Sequence, residues 1–135
     1  MLIRLCVLSM LVGYLPVLTL AAETTAPIVV PLMDKHLPAL DEQQVLMLSI
    51  TYPPGGSSAP HRHNANTFVY MLEGSVVMQV ADGEEVTLLP GDTFYESRND
   101  IHAVSRNASS IEPARFLVFM IKAPDAPVSV PLTSD

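Results

Sequence analysis

Three of the four histidines are spaced in a way that permits metal chemistry. His61 and His63 are separated by one residue, so on an extended strand both imidazoles project from the same face of the chain. Two imidazoles at that separation can bind a single metal ion. A third histidine, His102, follows one hairpin later and could complete the site. The alternative interpretation is that His61-Arg62-His63 is only a polar loop exit.

The segments that must position these histidines are short strands. Apolar and polar residues alternate with period two from Val45 to Tyr52, and Pro-Pro-Gly-Gly then ends the run. The pair Asp82-Gly83, between two further runs, is typical of a tight hairpin. Helical spacing is rare, so we predict an all-β sandwich or small barrel, with the Pro-rich segments 26–38 and 123–131 at its edges or in tails. The predicted strands are Val45 to Tyr52, Thr67 to Leu72, Ser75 to Ala81, Glu85 to Leu89, Thr93 to Glu96, Ile101 to Arg106 and Arg115 to Ile121.

The first histidine pair lies within a longer pattern of glycines and histidines. Gly55 is followed by five residues, then by His61 and His63, then after three residues by Thr67, and after six more by Gly74. This pattern resembles the first motif of the cupin superfamily, which has a glutamate where this chain has Thr67. All the spacings agree with that motif.

The second cupin motif is matched less completely. Gly91 and His102 stand at its glycine and histidine positions. Three positions depart from it, namely Ser97 for proline, Asn99 for glycine and Arg106 for asparagine. The two motifs together span residues 55–107. The resemblance implies a conical β-barrel of two packed sheets, a double-stranded β-helix or jelly roll, with its site inside the wider end.

The resemblance also implies a set of metal ligands. In cupins these are the two histidines and the glutamate of the first motif with the histidine of the second. Thr67 cannot act as an anionic ligand, so three neutral histidines would form the site, as they do in some zinc enzymes and in similar iron dioxygenases. Restoring the carboxylate with Thr67→Glu should then tighten metal binding.

Other residues of the predicted strands and turns are candidates for the pocket or for the surroundings of the metal. A carboxylate could instead come from Glu73, expected in a turn, or from Glu96, expected at a strand end. Tyr70 and Tyr95 could hydrogen-bond a substrate near the metal, or they could pack as strand aromatics commonly do.

The first 22 residues have the features of a signal peptide. A basic start with Arg4 precedes an apolar stretch and then Ala21-Ala22, where we expect cleavage. A membrane anchor is the alternative, although Gly13 and Pro16 interrupt the stretch. Residues 23–135 would then form one domain. After cleavage we expect this domain to be soluble, not bound to the membrane, and located in the periplasm or outside the cell.

Charge and cysteine content restrict the partners of this mature domain. It keeps 14 acidic residues against six basic ones, so nucleic acid is not an expected partner. The single cysteine, Cys6, is removed with the signal peptide, and no disulfide can form. We expect a homodimer for two reasons. The resemblance to small cupins implies a dimer, and Ile28-Val29-Val30 could add an edge strand to a partner's sheet.

Two functional hypotheses are compatible with these features. The first is a metalloenzyme, an oxidoreductase of the dioxygenase type that acts on a small organic molecule. The second is a non-catalytic periplasmic cupin that binds a small ligand or a metal. The fold alone does not distinguish them. Imidazole ligands suit divalent iron, manganese, nickel, copper and zinc to differing degrees, so the cofactor is predicted only as a divalent transition metal.

Overall fold

The computed structural model describes residues 25–132, and this part of the chain is built from β-strands. The predicted signal peptide, residues 1–22, lies outside the described residues. Between residues 25 and 132, no helix is long and apolar enough to cross a membrane. The strands are β1 (Ile28–Leu37), β2 (Gln43–Tyr52), β3 (Ser57–Ser58), β4 (His61–Arg62), β5 (Ala65–Glu73), β6 (Val76–Val80), β7 (Val86–Leu88), β8 (Thr93–Glu96), β9 (Ile101–Asn107), β10 (Ala114–Lys122) and β11 (Val130–Pro131).

The strands form two antiparallel sheets around one core. The first sheet has the order β1-β2-β10-β5-β8. The second has the order β11-β4-β9-β6-β7, and β3 pairs with β9. Side chains from both sheets belong to a single buried cluster, so the sheets enclose it between them. The predicted all-β cupin-type barrel is therefore confirmed, and each predicted strand corresponds to an observed one.

Alternation along the central strands decides which side chains enter this core. In β2, Leu46, Leu48, Ile50 and Tyr52 are buried, whereas the residues between them are only partly covered. Strands β5 and β10 alternate in the same way. Each large apolar side chain buried like this contributes roughly 1.5–3 kcal/mol to stability. The core residues are Leu46, Leu48, Ile50, Tyr52, Ala65, Val69, Met71, Val76, Met78, Leu88, Ala114, Phe116, Val118 and Met120.

Two glycines with positive φ shape the turns on either side of the histidine pair. Gly55, with φ of 66°, precedes the pair, and Gly74, with φ of 71°, connects β5 to β6. A Cβ atom on Gly74 would lie 2.5 Å from the carbonyl oxygen of Pro113, whereas one on Gly55 would have no neighbour within 4 Å. The turn at Gly74 therefore requires glycine for space as well as for conformation.

The Pro-rich segments form edge strands, as the sequence predicts. Strand β1 pairs with β2 of the same chain at one edge of the first sheet, and β11 pairs with β4 at one edge of the second. The segment Ile28-Val29-Val30, for which we expected pairing with a partner, is thus part of the chain's own sheet. Its side chains are nevertheless about half exposed. The homodimer stays a prediction.

Candidate metal centre

The barrel brings His61, His63 and His102 together. His61 lies in β4, His63 follows directly after the end of β4, and His102 lies in β9. Strand β4 pairs with β9 so that His61 is the register partner of His102. One ring nitrogen from each histidine lies within 4.8 Å of the corresponding nitrogens of the other two. The three side chains therefore form a cluster that could hold a metal ion.

Backbone carbonyls fix the orientation of the first two imidazoles. The Nδ1 atom of His61 lies 2.8 Å from the carbonyl oxygen of Ala59, and that of His63 lies 2.6 Å from the carbonyl oxygen of Val128. A carbonyl oxygen can only accept, so each Nδ1 carries the hydrogen and donates it. In a neutral ring the Nε2 atom then has a free lone pair, which is the form that binds a metal.

The spacing of these two lone pairs is suited to a shared cation. The Nε2 atoms of His61 and His63 lie 3.1 Å apart. Two acceptors at that distance repel each other unless a positive charge lies between them. Two nitrogens that each bind one ion at about 2.1 Å would be roughly 3.0–3.4 Å apart, depending on the coordination geometry. The observed separation falls within that range.

Burial favours the neutral, metal-binding form of the two less exposed histidines. Burial lowers the pKa of His102 to about 3, and the nearby His61 and His63 add to the effect. Burial likewise lowers the pKa of His63, with a smaller contribution from His61. At neutral pH a metal therefore does not compete with a proton for either ring.

A carboxyl group completes the cluster. Glu96, the last residue of β8, places its Oε2 atom 3.2 Å from Nδ1 of His102 and 3.8 Å from Nε2 of His63. The Glu96 side chain is 2% exposed. Burial raises the pKa of Glu96 to about 8, and Asp100 contributes further. Glu96 is one of the two alternative sources of the missing carboxylate expected from the sequence, and the structure pairs it on β5 with Thr67, the residue at the glutamate position of the first motif.

Unpartnered polar atoms are concentrated at this cluster. Four buried side-chain atoms of residues 25–132 have no hydrogen-bond partner, and all belong to three residues that line the same cavity. They are Oγ1 of Thr67, Oε2 of Glu96 and both ring nitrogens of His102. Buried polar atoms are rarely left unpaired in a native protein, so a bound cation is a physical explanation for Glu96 and His102. Nitrogen and carboxylate ligands fit a divalent transition metal.

The cluster opens into a cavity of about 400 Å³ between the sheets. Most of the wall is apolar, with Leu48, Phe116 and Val118 among the residues that line it. A polar group is provided by Tyr52, whose hydroxyl oxygen lies 2.7 Å from the hydroxyl oxygens of both Ser58 and Ser105. The cavity is large enough for a small organic molecule.

Tyr52 is a cavity residue that the sequence analysis missed. Its place in the alternation of β2 was a usable signal, because Tyr52 shares a face with the apolar Leu48 and Ile50. Burial raises the pKa of Tyr52, and the hydrogen bonds to Ser105 and Ser58 only partly oppose that effect. The phenol is therefore neutral near pH 7 and can donate one hydrogen bond.

Of the two alternatives for Tyr70 and Tyr95, the structure excludes a position near the histidine cluster. Their side chains are 47% and 51% exposed. Tyr95 packs against Phe68 on the outside of the first sheet and donates its hydroxyl hydrogen to Asn66. The reason is alternation, because Thr67 and Glu96 face the cavity and residues at odd distances from them on the same strands must face outward.

Comparison with known proteins identifies the family. A model of the cupin domain matches residues 48–120, which is more than half of the chain and includes all three histidines. The chain belongs to the cupin superfamily. None of the curated proteins matches it.

Several solved structures share the fold of this cupin. A cupin domain from Bordetella pertussis Tohama I is 22% identical, with a TM-score of 0.58, and the alignment covers 76% of this chain and 100% of that one. A protein with a double-stranded β-helix domain from Klebsiella pneumoniae is 17% identical, with a TM-score of 0.63, over 84% of this chain and 90% of that one. The DMSP lyase DddQ from Ruegeria pomeroyi DSS-3 is 20% identical, with a TM-score of 0.57, over 64% of this chain. The cupin spans only 42% of the length of that lyase.

Proposed function

We propose that this cupin is an exported metalloenzyme, a dioxygenase-type oxidoreductase that acts on a small organic molecule in the cavity. The metal would be a divalent transition ion held by His61, His63 and His102. The observation that carries the proposal is that the buried polar atoms without hydrogen-bond partners among residues 25–132 belong to His102 and to two residues that line the same cavity as the three histidines. When bound, the ion would supply Lewis-acid and redox chemistry at the end of the cavity.

Enzymes among the structurally similar proteins support a catalytic role. One solved structure is a DMSP lyase, and another is a recombinant oxalate oxidase in complex with glycolate, which is 18% identical to this chain with a TM-score of 0.57. At such identities the likeness shows the fold alone. The support is that some proteins with this fold are enzymes and that one of them binds glycolate, a small organic acid.

Backbone and side-chain groups of this chain have three roles in the proposal. The carbonyl oxygens of Ala59 and Val128 hold two imidazoles in the orientation that presents Nε2. The apolar wall binds the carbon skeleton of the substrate and excludes water. The hydroxyl of Tyr52 lines the same cavity, where it could hydrogen-bond a polar group of the substrate.

Metal binding tests the proposal first. Untagged mature protein, freed of metal with a chelator, is titrated calorimetrically with divalent manganese, iron, nickel, copper and zinc. We expect His61→Ala, His63→Ala and His102→Ala each to weaken the tightest of these interactions by at least about 100-fold, because each removes one ligand. Circular dichroism should remain that of the wild type, since these side chains line a cavity rather than join the sheets.

His36→Ala is the matched control. His36 is exposed and pairs with Glu42 outside the cavity, so the same chemical change should leave the affinity unaltered. The metal site would be refuted if the wild type bound none of the five ions, or if the three cluster variants bound as tightly as His36→Ala.

Turnover separates the enzyme from a binding protein. Metal-loaded protein is incubated with a panel of small organic acids, diketones and phenols, with and without oxygen, and both substrate and oxygen are measured. Oxygen-dependent consumption that is lost in His102→Ala is the expected result. If compounds from the panel bind in the cavity and none is converted, the non-catalytic ligand-binding cupin becomes the better account.

The proposed export has its own test. The mature chain recovered from the periplasm or the medium should begin at Ala22 or Glu23, which mass spectrometry of the intact protein can show. Recovery of the full-length chain from the inner membrane would contradict this part of the proposal.

A further inference from the structure

The position that lacks a carboxylate has one directly across the sheet. Thr67 on β5 and Glu96 on β8 are register partners in adjacent antiparallel strands. Both side chains are buried and both line the cavity. Cβ atoms of directly opposed residues in such a pair are about 4.5–5.5 Å apart. A side chain as long as glutamate can therefore reach one and the same ion from either position.

Among residues 25–132, no lysine or arginine side chain pairs with the Glu96 carboxyl group. Within the same residues, its only ion-pair neighbours are His63 and His102, which are themselves buried members of the proposed metal site. The arginine–glutamate pairs of the described chain are exposed, at Glu73 and Glu85. A buried carboxylate without a counter-charge is costly by several kcal/mol. A divalent ion at the histidine cluster would provide that counter-charge.

We propose that Glu96 is the fourth protein ligand of the metal, delivered from β8 instead of from position 67. The inference rests on the proposed metal site and extends it, because the donor set becomes three neutral imidazoles and one carboxylate. It is carried by the 3.2 Å and 3.8 Å distances from Oε2 to the two histidines and by the absence of a hydrogen-bond partner for Oε2 among the described residues. A site with three imidazoles and one carboxylate favours manganese more than a site with imidazoles alone.

Glu96→Gln is the first variant, because it removes the negative charge with little change in shape. Calorimetry with manganese alone should show an affinity at least about 30-fold lower than that of the wild type, together with loss of the thermal stabilisation that manganese confers. Glu73→Gln is the matched control. Glu73 is exposed at the far end of β5, where it pairs with Arg115, and its substitution should leave manganese binding unchanged.

A swap distinguishes a ligand from a residue that merely orients His102. In Thr67→Glu/Glu96→Thr the carboxylate moves to the register partner, so the manganese affinity should return to within about tenfold of the wild type. Thr67→Glu alone should not tighten binding, because it would place two carboxylates in one buried site. This reverses the expectation from the sequence that Thr67→Glu would tighten metal binding.

A measurement on the wild type tests the inference even if a variant fails to fold. The infrared difference spectrum between metal-free and manganese-loaded protein should contain carboxylate bands that are absent in Glu96→Gln. No such bands, or a swap that folds but binds no better than Glu96→Gln, would overturn the inference and leave Glu96 as a positioning residue. If Glu96→Gln binds like the wild type while His102→Ala does not, this inference fails and the three-histidine site stands. If His102→Ala also binds normally, both fail.

Discussion

The turn at Gly74 offers a quantitative test of how tightly the barrel closes beside the histidine motif. We expect Gly74→Ala to destabilise the protein by about 1–4.5 kcal/mol. The positive φ of 71° costs alanine roughly 1–2 kcal/mol, of which about 0.4–1 kcal/mol is recovered from the lower entropy of the unfolded chain. The new Cβ would also lie 2.5 Å from the carbonyl oxygen of Pro113 and 2.9 Å from Cα of Ala114. The backbone must then shift, which adds about 1–3 kcal/mol to the loss of stability.

Gly55→Ala separates the steric cost from the conformational one. Its φ of 66° is nearly the same, but its Cβ would meet nothing within 4 Å. We therefore expect a loss of about 0–1.5 kcal/mol for Gly55→Ala, from the same φ cost and the same entropic recovery.

Urea denaturation of both variants at one pH, with chelator present, gives the two free energies of unfolding. The difference of about 1–3 kcal/mol should also appear as a lower melting temperature for Gly74→Ala, by several degrees. Equal losses in the two variants would refute the steric part of the reasoning. A larger loss at Gly55 would refute the assignment of the tighter turn to Gly74.

Two further predictions concern pH and assembly. Because burial raises the pKa of Glu96 to about 8, the folded metal-free protein holds a proton that the unfolded chain has lost, and its stability should fall as pH rises. Between pH 6.5 and 8 the free energy of unfolding of the wild type in urea should fall by roughly 1–2 kcal/mol relative to that of Glu96→Gln, since the lowered pKa values of His63 and His102 act with the opposite sign in both proteins. Parallel curves would contradict the argument. The mature protein should be a homodimer, because β1 is an edge strand with Ile28, Val29 and Val30 about half exposed. Light scattering that detects only monomer at micromolar concentration would exclude it.

Local patterns were sufficient to predict most of the fold. The alternation from Val45 to Tyr52 identifies both a strand and its buried face, because the side-chain period of a strand is two residues. The Asp82-Gly83 turn predicts the β6–β7 hairpin, in which Asp82 has a φ of 65°. Strands of two residues, such as β4, are too short to leave such a pattern, and the sequence did not predict them.

The same alternation explains why the two tyrosines lie on the outside of the first sheet and not near the histidine cluster. If Thr67 faces the cavity, Tyr70 is an odd number of residues away on the same strand and must face outward. That conclusion was available from the sequence. For Tyr95 it was not, because nothing in the four residues of β8 indicates which face is inward. The inward orientation of the partly buried Phe94 and the buried Glu96 becomes evident only when β8 is paired with β5.

Glu96 shows what a motif defined along the chain cannot contain. A metal ion requires ligand atoms arranged around one point in space. In a sheet, the position that can best replace a given ligand residue is its partner on the neighbouring strand, not a residue nearby in sequence. Thr67 and Glu96 are 29 residues apart in the chain and directly opposed in the sheet. The departure at Thr67 therefore removes a carboxylate from the motif but not from the cavity. A missing ligand in such a barrel is evidence against a metal site only after the residues paired with that position have been examined for a substitute.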